Sequence, residues 1–184
     1  MYNQFLFNVI PKSIFVSFSM DHMTYKFFIN IKKFISSIYF FWGFSESQLK
    51  FFSDLLIVDF PIFVMRFLSV YNIVSLLYNI RFIFKFFLDS NLTISSITKC
   101  YPCASWFERE CWDMFGVFYS NNLDLRRILN DYGFNGHPLK KDFPLNGYTE
   151  IVFYLFFNLV FYDSIKMNQE FRFFYITSPW KIFI

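Results

Sequence analysis

The chain is short of small residues. Alanine occurs once in 184 residues, at position 104, and glycine five times. That scarcity excludes collagen-like and Gly-rich linker classes. Cysteine occurs three times, an odd number that cannot make a fully paired disulfide framework. Charge is scarce as well: 17 basic and 14 acidic residues leave a formal net charge of +3. The basic residues are scattered or stand beside acids, so no phosphate-tracking stripe exists and nucleic-acid binding is excluded. Long uncharged runs are missing too. A spanning helix needs about 20 mainly apolar residues. Phe34–Ser45, Phe67–Ile80 and Ile151–Tyr162 are all shorter, and each contains Ser or Asn. No transmembrane segment is expected. The start, MYNQFLFNVIPK, has no basic flank before its apolar part and makes a poor signal or transit peptide.

Aromatic residues fill the space. The chain holds 32 Phe, and 55% of it is hydrophobic. Phe, Ile, Asn, Lys and Tyr are read from A+T-rich codons, whereas Ala, Gly, Pro and Arg are read from G+C-rich ones. A strongly A+T-biased genome, such as an organelle's, accounts for both excess and deficit. The mean hydropathy of +0.35 then partly reports mutation pressure, not membrane insertion. The remaining apolar excess implies burial against other proteins.

The length suits one domain with a real core and an added arm. Thr24–Ile29 reads as a short strand and Asn30–Trp42 as a helix, with Asn30 as N-cap and Gly43 as C′ residue. Phe51–Phe60 reads as a buried strand ending at Pro61. Phe63–Ser69 and Ile80–Leu88 look like further strands. In the second, Arg81 and Lys85 share one face while Phe82, Phe84 and Phe86 share the other, a period of two. Tyr71–Tyr78 is ambiguous, and Asp89-Ser90-Asn91 has turn chemistry. The reading for 1–118 is an α/β (α+β) domain: a small mixed sheet covered by helices. The reading for 119–184 is an extended partner-docking arm with an apolar hairpin at Ile151–Tyr162, turning near Asn158.

Trp106–Tyr148 runs against the composition, carrying four of the five glycines and a concentration of charge. Ser105–Phe115 is expected as a helix, opened by the capping box Ser105-Trp-Phe-Glu108 and closed by Gly116. Phe107, Cys111, Met114 and Phe115 fall on one face at helical spacing, and Arg109 and Asp113 make an i,i+4 pair on another. Asp124–Asn130 reads as a short helical turn. Asp131–Tyr148, with Gly133, Gly136, Gly147, Pro138 and Pro144, fits no regular element, yet its aromatics argue against disorder. It reads as an arm lying on a partner.

Two chemistries compete here, each with a bland alternative. Cys100, Cys103 and Cys111 with His137 could ligate zinc or an iron–sulfur cluster. The bland alternative makes Cys111 a small core hydrophobe. Glu108, Glu110, Asp113 and His137 could form an acid–base set. The bland alternative is a salt-bridged network with Arg109, Arg126 and Arg127, and the near-matched charges at short range favour it. No phosphate cradle and no nucleophile elbow is present.

The E-R-E-x-x-D-M-F-G block at Glu108–Gly116 carries a family resemblance. So do D-L-R-R-I-L-x-D-Y-G-F-x-G-H-P-L at Asp124–Leu139 and K-D-F-P-L-x-G-Y at Lys141–Tyr148. Weaker similarity reaches back to Arg66–Asp89 and forward to Gln169–Arg172 and Ser178–Trp180. The chain resembles the "30-kilodalton" subunit family of respiratory complex I, NADH:ubiquinone oxidoreductase. It departs from the pattern at Asn122-Leu123, at Lys140, at its three cysteines, and where VFYLFFNLVFY replaces a charged hairpin. The resemblance implies a subunit with no cofactor and no catalytic residue of its own, in the peripheral arm on the matrix side of the mitochondrial inner membrane. Iron–sulfur clusters, FMN and quinone would belong to partner subunits. The main partner would be the "49-kilodalton" quinone-site subunit. Glu108, Arg109, Glu110, Asp113, Arg126, Arg127, Asp131, His137, Lys140, Lys141 and Asp142 would then serve interfaces and structure. A subunit of a related membrane-bound hydrogenase-like complex, or a small Cys/His metal module, is the alternative.

Overall fold

The computed structural model describes residues 15–21, 23–89, 93–174 and Trp180. The segment 1–12, the Ser90-Asn91 turn and Ser178-Pro179 lie outside the described residues. Two strands form a hairpin first: β1 (Phe15–Asp21) and β2 (Thr24–Ile29). Helix α1 (Ile31–Gly43) follows, and Asn30 caps it by accepting the Lys32 N–H at 3.1 Å. Then come β3 (Phe51–Asp59), β4 (Phe67–Ser75) and β5 (Ile80–Leu88). Short strands β6 (Ile94–Ser95) and β7 (Tyr119–Ser120) pair in parallel on either side of helix α2 (Ala104–Phe115) in the chain. A last hairpin joins β8 (Thr149–Tyr154) to β9 (Leu159–Ser164).

Strands β1 to β5 form one sheet in the order β1-β2-β5-β4-β3. The β2–β5 pair is parallel and the others antiparallel, so the sheet is mixed. Period-two alternation sends Tyr71, Phe82, Phe84 and Phe86 to one face, where they are fully buried. Phe34, Ile38 and Phe41 of α1 stand at helical spacing and pack onto it. Phe34 lies 4.6 Å from the Phe86 ring, and Phe41 lies 5.3 Å from the Phe82 ring. Helix α2 covers β3, with Phe107 against Phe52 at 5.5 Å. Each buried Phe contributes roughly 1.5–3 kcal/mol over an exposed one, so this core is the main source of stability.

Three boundaries differ from the sequence expectation. The expected strand Phe63–Ser69 is displaced to Phe67–Ser75 and takes in most of Tyr71–Tyr78. Residues 61–65 are a turn despite being apolar, because the Phe60 N–H bonds the Arg66 carbonyl and closes the β3–β4 hairpin there. Gly43 is inside α1, and Phe44, in extended conformation, caps it. Strand β1 was not expected.

The chain divides into two compact units between Phe143 and Pro144. The second contains the β8–β9 hairpin, which turns through Asn158 in the left-handed region at φ +50°. Among the described residues no helix is long and apolar enough to cross a membrane.

Candidate functional site

Helix α2 does not use the expected capping box. Its N-cap position is Cys103, with no side-chain bond to the helix. The reason is that Glu108 points into the core. Its carboxyl is fully buried and accepts from Ser96 Oγ at 2.7 Å, the Ile97 N–H at 2.9 Å and Asn122 Nδ2 at 2.7 Å. The β6–β7 pairing brings these donors together, since it lays the segment before α2 beside the segment after it. Among the described residues no cation pairs with Glu108, and burial pushes its pKa above 4.5 against the pull of these three bonds.

Asp113 sits on another side of α2 and is also fully buried. Five donors converge on it. Arg127 NH1 at 2.8 Å and Asn130 Nδ2 at 2.8 Å reach Oδ1. The backbone N–H groups of Ile128, Leu129 and Asn130 reach Oδ2 at 3.2, 2.8 and 3.0 Å. Burial alone would raise the pKa, but the bonds from Asn130, Leu129 and Arg127 outweigh it and hold it below 3.8. The expected helical turn at Asp124–Asn130 is therefore absent: the backbone wraps a carboxylate instead of bonding to itself. The expected Arg109–Asp113 pair is absent too. Arg109 donates to the carbonyls of Arg126 and Arg127 at 3.0 and 3.4 Å and lies over the Trp106 ring.

A second carboxylate holds the next stretch. Arg66 grips Asp59 through both carboxylate oxygens, at 2.6 and 2.7 Å, and reaches Asp142 at 2.8 Å. Asp59 also accepts the Lys141 N–H at 2.9 Å. The Arg66 bond holds the Asp59 pKa down. Between the two anchors, Gly116 ends α2 at φ +73° and the His137 ring covers it. A Cβ at Gly116 would stand 2.6 Å from that ring. His137 Nδ1 lies 3.0 Å from the Asp113 carbonyl oxygen, and the Leu139 N–H bonds the Met114 carbonyl at 3.1 Å. Burial lowers the His137 pKa, so the ring is neutral at pH 7 and Nδ1 is the donor. Gly136, at φ +106°, lets the Phe143 ring pass within 2.7 Å of where a Cβ would be.

The structure thus disperses the acid–base candidates. Glu108 is sealed behind neutral donors, Asp113 is saturated, Glu110 is exposed, and His137 faces a backbone carbonyl. Asp131 is exposed, and Arg126 bonds its neighbour Asp124 at 2.7 Å. Lys140 lies over the Phe67 ring. Sequence reasoning missed Asp59, Arg66, Ser96, Asn122 and Asn130. An aspartate ending a buried apolar strand was the one available signal.

The cysteines do not converge either. Cys111 is buried with its thiol toward the Leu55 carbonyl, and burial pushes its pKa up to about 12. Cys103 is exposed. Among the described residues no three His, Cys, Asp or Glu side chains form a metal-binding group. The motif segment is instead fixed from beneath, while Leu123 and Tyr132 are fully exposed on its outer side.

The model of the respiratory-chain NADH dehydrogenase 30 Kd subunit family matches residues 29–149. The chain belongs to this family. NADH-ubiquinone oxidoreductase subunit 9 of Reclinomonas americana is 51% identical over 137 residues, which cover 74% of this chain and 67% of that protein. NADH dehydrogenase [ubiquinone] iron-sulfur protein 3 of Oryza sativa subsp. japonica is 40% identical across 98% of this chain and 97% of its own length. The membrane-bound sulfane sulfur reductase, an archaeal respiratory membrane complex, contains a chain of the same fold. It has a TM-score of 0.66 at 19% identity and covers 78% of this chain and 85% of that one. The matched region of the 30 Kd family spans both anchored carboxylates. The rice relative's name mentions iron and sulfur; in this chain Cys111 is sealed in the core, Cys100 is half-buried and Cys103 faces solvent.

Proposed function

We propose that this chain is a structural and assembly subunit of NADH:ubiquinone oxidoreductase (complex I). It would sit in the peripheral arm on the matrix side of the mitochondrial inner membrane and brace the "49-kilodalton" quinone-site subunit. One observation carries the reading: the family motif spends its charges on fixing its own backbone. Asp113 and Asp59 receive the segment 127–142 from beneath, and Leu123, Leu129, Tyr132 and Leu139 are left exposed above. A rigid segment with an apolar outer side suits docking, because its ordering cost is met before the partner arrives. The chain holds no cofactor in this reading. FMN, iron–sulfur clusters and quinone belong to its partners, which carry the electron transfer from NADH to ubiquinone and its coupling to proton pumping.

Arg127→Ala tests the proposal. It strips the paired cation from a buried carboxylate, a loss of about 3–5 kcal/mol where the pair is fully buried and less here because Arg127 is 25% exposed. The amount of assembled complex should fall on a native gel, while NADH–quinone turnover per assembled complex stays normal. Full assembly with poor turnover would overturn the structural role.

A further inference from the structure

Both helices lie on one face of the five-stranded sheet, and among the described residues of the first unit no element packs over the other face. Register places its side chains in rows across the strands. Val58, Leu68 and Phe87 are neighbours in one row, and Leu56, Val70, Lys85 and Phe28 in the next. Leu56 is 52% exposed and Phe87 41%. The apolar surface continues into the β3–β4 turn, where Ile62 and Val64 are 93% and 91% exposed. Lys85 stands inside this patch, 5.7 Å from the Phe28 ring, with Arg81 on the same face of β5. Among the described residues no acid pairs with either cation.

We propose that this face docks an amphipathic helix of a partner subunit. Its apolar stripe would lie on Leu56, Leu68 and Val70, and an acidic residue would meet Lys85. The inference rests on the proposed membership of a multisubunit complex. Three physical arguments select the occupant. First, β4 and β5 are paired on both sides, so the face offers no free backbone groups. An occupant must satisfy its own N–H and C=O groups, which a helix does and an added strand does not. Second, strands β3, β4 and β5 at about 4.8 Å spacing span roughly one helix width of about 10 Å, and sheet on helix is the ordinary layer solution. Third, a wholly apolar occupant would bury Lys85 unpaired, a charge that must be compensated. An acid beside the stripe removes that penalty and fixes orientation.

The test uses the assembled complex. A water-soluble carbodiimide condenses a carboxylate and an amine in contact into an amide and is itself converted to a urea. After this treatment, mass spectrometry should find Lys85 joined to an Asp or Glu of another subunit, in a peptide with apolar residues at i, i+3, i+4 and i+7. Lys85 should also lose most of its acetylation by an amine-reactive ester in the complex relative to the denatured chain. Lys85→Glu should remove that partner from the complex, and Lys85→Arg should keep it. The inference is overturned by a bond from Lys85 to a carboxylate of this chain's own sequence, Asp54 included. It is equally overturned by a partner peptide without the helical pattern, by full acetylation in the complex, or by retention of the partner in Lys85→Glu. Lys85 reports in whichever assembly the chain is recovered from. An assembly other than complex I would refute the proposed function without deciding the docking face.

Discussion

Asp113→Asn isolates the first anchor. The substitution keeps size and shape but removes the charge and one acceptor. In the native chain a fully buried carboxylate takes five donors, three from consecutive backbone N–H groups and one from Arg127. Asparagine keeps one acceptor oxygen and places an NH₂ among those donors. Breaking a buried charged pair costs about 3–5 kcal/mol. Arg127 is 25% exposed on its side chain and rehydrates in part, so the lower end applies, about 3 kcal/mol. For a chain of this size that lowers the melting temperature by roughly 6–12 °C. A urea titration of the full chain should show a lower midpoint at unchanged slope. Hydrogen exchange adds a local readout. The amides of Ile128, Leu129 and Asn130 should exchange on the order of 100-fold faster, since about 1.4 kcal/mol is a factor of ten. A midpoint shift worth less than about 0.5 kcal/mol, the scale of neutral surface changes, with unchanged exchange at these amides, would refute the anchoring argument.

Two further predictions follow from the same geometry. Gly116→Ala forces a Cβ into a left-handed position, at about 1–2 kcal/mol, and against the His137 ring at 2.6 Å. Adding His137→Ala should recover the clash but not the backbone strain. A double variant no more stable in urea than Gly116→Ala would count against the packing. Acid should act in two opposite steps. Glu108 has its pKa raised above 4.5 in the fold, so the folded state binds more protons and stability rises slightly as pH falls toward that value. Asp59 and Asp113 are held below 3.8, so the unfolded state binds more protons there and stability is lost as pH falls further. His137, held below its ordinary value by burial, takes stability away over the same range, so the Glu108 step is read in a His137→Ala background. There urea midpoints from pH 6 to pH 3 should pass through a shallow maximum, and adding Asp113→Asn should flatten the acid limb; a monotonic fall from pH 6 would contradict the Glu108 assignment.

Much of the fold was readable because period and caps are local. Phe82, Phe84 and Phe86 alternate with polar neighbours and declare a half-buried strand. Asn30 caps the helix it was expected to cap, and Asn158 marks the hairpin turn. The errors arose where a distant segment outbid a local pattern. Ser105 and Glu108 have capping-box spacing, but Ser96, Ile97 and Asn122 take the carboxylate. Arg109 and Asp113 have ion-pair spacing, but Asp113 is filled from Arg127–Asn130. Strand β4 was displaced because the β3–β4 turn is built from Ile62, Phe63, Val64 and Met65, with Pro61 as its only turn residue. The near balance of the motif charges suggested a salt-bridged network with Arg109, Arg126 and Arg127, of which the Arg127–Asp113 pair forms. Which donors reach Glu108 and Asp113, and which acid takes the Lys141 amide, depend on contacts 11 to 82 residues apart, and no local spacing encodes those.

The most direct test of the central claim is composition. Solubilised mitochondrial membranes are resolved on a native gel, and the band with NADH dehydrogenase activity is quantified by mass spectrometry. The account predicts this chain at one copy beside the large quinone-site subunit. Its absence from that band, or its migration alone with activity of its own, would contradict the account and return His137 and the cysteines to consideration as a catalytic or metal site.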